Sequence, residues 1–139
     1  MIAKCTGNSS EHIGPDAIAN FRKHVHQDEL HLVIGRDYVV YGVLFRDGQP
    51  WFLVCEEDAD GYPKTHFGAL FELVDDRVPP DWSLSLAESN VGPVSILPRK
   101  WAKDPRFLEK LVDEDPIAIA DFLSLRQALE SWHVLSTNT

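Results

Sequence analysis

Two cysteines, Cys5 and Cys55, are the only thiols in the chain, too few to frame a disulfide-stapled fold, so a reducing compartment is expected. Long apolar runs are missing too. The densest, Ile117 to Ala120, is stopped by Asp121, far short of the roughly 18 residues that cross a bilayer. Met1 to Cys5 leads straight into the polar stretch Thr6 to Glu11, without the apolar block of a secretory signal, and this predicts a cytoplasmic protein. Positive charge is scarce: 13 Lys and Arg stand against 22 Asp and Glu, for a net charge of −9. That balance opposes binding to phosphate backbones or anionic lipid, so neither nucleic acid nor a membrane is expected as a partner. G-x-S-x-G, HExxH and a glycine-rich phosphate loop are all absent, and no catalytic residue, metal ligand or cofactor is assigned from motifs.

What remains is enough apolar and aromatic side chain for one core, and nothing divides the chain, so residues 1–139 read as a single domain. The pattern is mainly β over 2–86, with a helix at 15–27, and helical over 98–134. Ile2 to Cys5 reads as a strand, and Ala17, Ile18, Phe21 and Val25 recur at helical spacing after Pro15. Leu30 to Ile34, Tyr38 to Phe45 and Trp51 to Cys55 are β-branched or aromatic runs. Asp47-Gly48 is suited to a tight hairpin turn, Gly42 to a bulge, and Pro50 to an edge or strand start. Phe67 to Val74 and Trp82 to Leu86 supply further strands, and Glu88 to Pro93 a loop. Asp104-Pro105 and Asp115-Pro116 each place a capping acid before a proline suited to a first helical position. The second of the helices they open carries Ala118, Phe122, Leu125, Leu129 and Trp132 on one face. Thr137 to Thr139 read as a frayed tail. The expected fold is α+β: a strongly coiled antiparallel sheet or small barrel followed by two C-terminal helices.

Six of the nine net negative charges fall between Glu56 and Asp81. There Glu56, Glu57, Asp58, Asp60, Glu72, Asp75, Asp76 and Asp81 face only Lys64 and Arg77. Such density carries self-repulsion, which a basic partner would relieve. Tyr62, an aromatic among acids, is a natural contact residue. The predicted partner-binding set is therefore Glu56, Glu57, Asp58, Asp60, Tyr62, Asp75, Asp76 and Asp81, acting on a basic protein.

Other chemistry was weighed against plainer readings. Glu56-x-Asp58-x-Asp60-Gly61 begins like a calcium loop, but Phe67 stands where the closing acid belongs, and a solvated turn is preferred. His24, His26 and His31, with Asp28 and Glu29, are metal-ligand types at spacings that match no known motif. Cys55 reads as a small buried hydrophobe, with His66 as a conceivable base. The alternative to binding is thus a metal-assisted or thiol-dependent enzyme using His24, His26 or Cys55 between sheet and helices. The run Arg99, Lys100, Lys103, Arg106 and Lys110 reads as charge that balances nearby acids.

Leu32-Val33-Ile34-Gly35-Arg36-Asp37-Tyr38-Val39-Val40-Tyr41-Gly42, followed by Ala69 to Asp75, Arg77, Pro79 and Trp82, resembles small bacterial proteins with an SH3-like sheet. Some of these resemble immunity proteins of polymorphic toxin systems. The resemblance covers Leu30 to Trp82. It implies a chain that neutralises a toxin domain, such as a basic nuclease, by stoichiometric binding inside the producing cell. It carries over no catalytic residue.

Overall fold

Tyr38 to Phe45 reads as one strand, yet the chain spends it in two sheets. In the computed structural model, which describes residues 1–26, 30–86 and 94–137, β2 (Asp37–Val39) pairs with β1 (Ile2–Cys5). After a crossing, β3 (Val43–Arg46) pairs with β4 (Gln49–Val54). At the crossing, Tyr41 N–H donates to Leu53 O (2.8 Å) while Leu53 N–H donates to Gly42 O (2.9 Å). Two residues oppose one, which is a β-bulge and bends the chain from one sheet toward the next. A Cβ at Gly42 would stand 2.4 Å from Leu97 Cδ2 and 3.0 Å from Leu53 Cδ1, so a larger residue would have to displace these two buried side chains.

With β5 (Lys64–Phe67), β6 (Phe71–Asp75), β7 (Trp82–Ser85) and β8 (Val94–Pro98), the strands form a three-stranded sheet, β2-β1-β6, and a five-stranded sheet, β5-β4-β3-β8-β7. All pairings are antiparallel. The helices are α1 (Ile18–His24), α2 (Arg99–Ala102), α3 (Phe107–Val112) and α4 (Pro116–Thr137). The class is α+β as expected, while the described strands form two sheets and no closed barrel.

Local chemistry explains several boundaries. Asp47 and Gly48 take φ of +52° and +78° in a two-residue turn between Arg46 and Gln49, the geometry favoured in hairpins. Pro50 lies near the start of β4, an interior strand; the β5 ladder ends at Trp51–Phe67, before a residue that has no N–H to donate. The chain then turns at Gly68, where a Cβ would lie 2.6 Å from Pro50 O. Backbone is the obstacle there, so Gly68→Ala is expected to destabilise the fold by about 2 kcal/mol. A urea midpoint equal to the parent's would show that the turn yields freely.

Four expectations need correction. The helix expected at 15–27 covers only Ile18–His24. Leu30 to Ile34 is not a strand: Leu32 is buried, but Val33 and Ile34 are exposed in a turn closed by Arg36 N–H to Val33 O, with Gly35 at φ +89°. Asp104-Pro105 does not open α3 directly. Asp104 instead accepts from Arg106 N–H through Oδ1 and from Phe107 N–H through its carbonyl, so the helix starts a residue pair later. Finally β8 occupies Val94–Pro98, where the pattern predicts no strand, and the short α2 opens the stretch expected to be helical. By contrast, Asp115 caps α4 as predicted, its Oδ2 accepting from Ala118 N–H at 3.0 Å. Asp28 and Glu29, the loop from Glu88 to Pro93, and Asn138-Thr139 lie outside the described residues.

One buried cluster joins both sheets to the helices. Phe67 packs against Phe21 of α1 (5.9 Å between ring centres) and against Trp51 (4.9 Å). Phe122 of α4 meets Tyr41 edge-on at 5.1 Å and lies parallel to Trp101 at 6.1 Å. The bulge residue Tyr41 is therefore also the seat of α4.

Candidate functional site

The acidic turn between β4 and β5 folds on itself: Asp60 Oδ2 accepts from Glu57 N–H, and Glu57 O accepts from Asp60 N–H, both at 3.1 Å. Arg126 of α4 then fastens it. Its Nη1 donates to the carbonyls of Asp58 and Asp60 (3.2 Å each), its Nη2 to Cys55 Sγ (2.9 Å) and its Nε to Tyr41 Oη (3.2 Å). The guanidinium also lies 4.9 Å from the Phe122 ring centre, a favourable cation–π placement. Nothing in the sequence marks Arg126, because its four acceptors lie far back along the chain, at Tyr41 and between Cys55 and Asp60.

This anchorage sets the character of Cys55. Burial pushes its thiol up to about 11, against the opposing pull of Arg126, which leaves a protonated sulfur at neutral pH rather than an activated nucleophile. The three carboxylates of the calcium-like stretch point to different partners. Glu56 faces His66 at 3.3 Å, Asp58 pairs with Arg36 at 2.8 Å, and Asp60 serves the turn itself.

Beside the fastened turn, Gly61 and Tyr62 form one wall of an apolar groove of about 570 Å³. Pro116, Ile119, Ala120 and Leu123 of α4 form the other wall, and Glu114 the rim. Leu123 is 46% exposed. Glu114 sits at φ +56°, where its N–H donates to Leu111 O while Asp115 N–H donates to Lys110 O. This is the double-bonded helix ending that normally takes glycine, so a glutamate there costs about 1 kcal/mol.

The eight residues predicted to bind a partner do not form one ridge. Glu56, Glu57, Asp58, Asp60 and Tyr62 share the turn between β4 and β5, and of these only Tyr62 lines the groove, while Glu56 faces the basin along β5. Asp75 and Asp76 close β6 in the other sheet, where Arg77 chelates Asp75 at 2.6 and 2.8 Å and holds its carboxyl well below the usual carboxylate range. Arg77 also covers the Trp132 ring, so this pair lies toward the far end of α4. Asp81 precedes β7, which is at the opposite edge of the five-stranded sheet from β5. Three of the five residues of the basic run form surface ion pairs: Lys100 with Asp121, Arg106 with Glu109, and Lys110 with Asp104.

A second basin, about 670 Å³, runs along β5 and is lined by His24, His26, His31, Glu56, Lys64 and His66 among others. His66 is 6% exposed, and burial, with Lys64 adding to it, holds its imidazole down to about 4. Its Nε2 is within 3.3 Å of Glu56 Oε1 but makes no hydrogen bond. His24 is drawn aside, 3.6 Å from Asp47 and edge-on to Trp51. Among the described residues no three histidine, cysteine, aspartate or glutamate side chains stand together as a metal-ligand group. No described helix is long and apolar enough to cross a membrane.

Compared with family models, with curated proteins and with solved structures, the chain matches none.

Proposed function

We propose that this chain is a protein-binding module for a basic partner, docking at the groove between Tyr62 and the start of α4. The observation that carries this reading is the groove itself: an open apolar trough directly beside the densest acidic turn of a chain of net charge −9. Apolar walls give a desolvated centre, and surrounding carboxylates steer a cation toward it. The occupant is a protein segment with an apolar side chain flanked by lysine or arginine. Glu114 supports the reading, because the rim carries a carboxylate at a backbone position where glycine would be unstrained. In its most specific form, suggested by the resemblance to SH3-like immunity proteins, the module is a cytoplasmic immunity protein that neutralises a basic toxin domain such as a nuclease. Asp75, Asp76 and Asp81, placed elsewhere, then contribute only long-range attraction.

The test is to identify the neighbouring gene and, where it encodes a basic toxin domain, to follow association with that domain by biolayer interferometry over a salt series. Leu123→Asp is expected to weaken binding at least about tenfold through faster dissociation, since it places a charge in the apolar centre. Glu57→Lys with Asp58→Lys is expected to slow association and flatten its salt dependence, whereas Asp76→Lys changes little. Equal effects of all three changes would sink the groove assignment. A neighbouring gene that encodes no basic toxin would sink the immunity reading.

A further inference from the structure

The basin along β5 lies apart from the groove, and its chemistry is of another kind. At its floor are a nearly buried imidazole nitrogen, His66 Nε2, with no hydrogen-bond partner, and a carboxylate oxygen, Glu56 Oε1, on a side chain only 16% exposed. They stand 3.3 Å apart without the geometry of a hydrogen bond. A tetrahedral zinc ion, with nitrogen at about 2.0–2.1 Å and oxygen at about 2.0 Å, holds two such donors about 3.3 Å from each other.

We propose that this basin is a binding site for a divalent first-row transition-metal ion, zinc by preference, with His66 Nε2 and Glu56 Oε1 as its two preset ligands. Nitrogen in the donor set selects against calcium and magnesium, which take oxygen. The rest of the coordination shell comes from the mouth, where His26 and His31 are exposed and line the same basin. Because among the described residues no three ligands are already assembled, the ion has to draw at least one of these imidazoles inward. His24, engaged with Asp47 and Trp51, is not needed. Metal binding would thereby tie the segment after α1 to the edge strand β5 and hold Glu56, the first residue of the acidic turn, in place.

The full chain, stripped with chelator and dialysed, is titrated with Zn²⁺ by calorimetry and with Co²⁺ in the visible spectrum. One ion per chain is expected, with a dissociation constant below about 1 μM and the intense visible bands of tetrahedral cobalt. Glu56→Gln and His66→Gln are each expected to weaken Zn²⁺ binding at least about tenfold, and His26→Ala with His31→Ala to do likewise. Absence of saturable binding up to about 1 mM Zn²⁺ overturns the site. So does affinity that Glu56→Gln leaves intact while the double mouth variant abolishes it, which is surface chelation only. If His66→Gln fails to fold, Glu56→Gln decides alone, since that side chain is not fully buried.

Discussion

Arg126→Ala is expected to cost the chain about 2–3 kcal/mol of stability and to loosen the acidic turn. The side chain serves four acceptors, Tyr41 Oη, Cys55 Sγ and the carbonyls of Asp58 and Asp60, and hydrogen bonds from a charged donor contribute about 1.5–3 kcal/mol each before solvent and non-additivity reduce the sum. Water reaches part of this site, so the figure lies well below four full bonds. Arg126→Lys is expected to restore only a fraction, because one ammonium cannot reach four acceptors spread between Tyr41 and the turn from Cys55 to Asp60. Urea unfolding gives the energy, and amide exchange across Glu56 to Tyr62 gives the loosening. Partner binding is expected to weaken with the turn, as Tyr62 and Leu123 lose their fixed separation. An unfolding midpoint unchanged in Arg126→Ala would mean that the turn holds its shape by itself.

Acidification is expected to remove a further 2–3 kcal/mol, approximately, through His66. Its folded-state pKa lies at about 4, below the ordinary value of 6.5. Between those limits the unfolded chain binds more protons than the folded one, so stability falls as pH falls. The contribution is complete above pH 6.5, declines through the window, and is gone below about 4. Groups facing His66 pull in both directions. Lys64 on the same strand opposes protonation, while the Glu56 carboxylate at 3.3 Å favours it and trims the loss. His24, His26 and His31 line the same basin. His133, also depressed by burial, adds loss of the same sign. Asp75, held low by Arg77, acts only under more acid conditions. Urea midpoints measured with chelator present, across the window, should fall steadily in the parent and more gently in His66→Gln. Identical slopes would remove His66 as the cause.

Elements whose signals are local were legible in the sequence. Asp47-Gly48 announces its hairpin because the turn itself needs positive φ, and Asp115-Pro116 announces α4 because cap and first turn are adjacent. Gly42 marks its bulge as the one glycine inside the apolar run Tyr38 to Phe45. Elements that depend on partners distant in sequence were not. Leu32, Val33 and Ile34 have strand-forming side chains, but only Leu32 has something to pack against, and propensity without a neighbouring strand makes a turn. β8 escaped notice because Val94 to Pro98 becomes a strand only by lying between β3 and β7. For the site, Tyr62 and its acidic neighbours could be named from composition. Arg126 and Leu123, which turn that segment into a groove, looked like ordinary positions on an amphipathic helix.

The amino-acid sequence by itself determined the α+β class, the charge of the molecule, the turns and the long C-terminal helix, since each follows from residues within a few positions of one another. Tertiary structure alone decided that eight acids in one stretch occupy three separate places, that an arginine far along the chain clasps the foremost of them to a helix, and that a buried histidine meets a glutamate in a basin. The reason is physical: where a side chain points depends on sheet order and on which element covers it, and neither is fixed until distant segments pack.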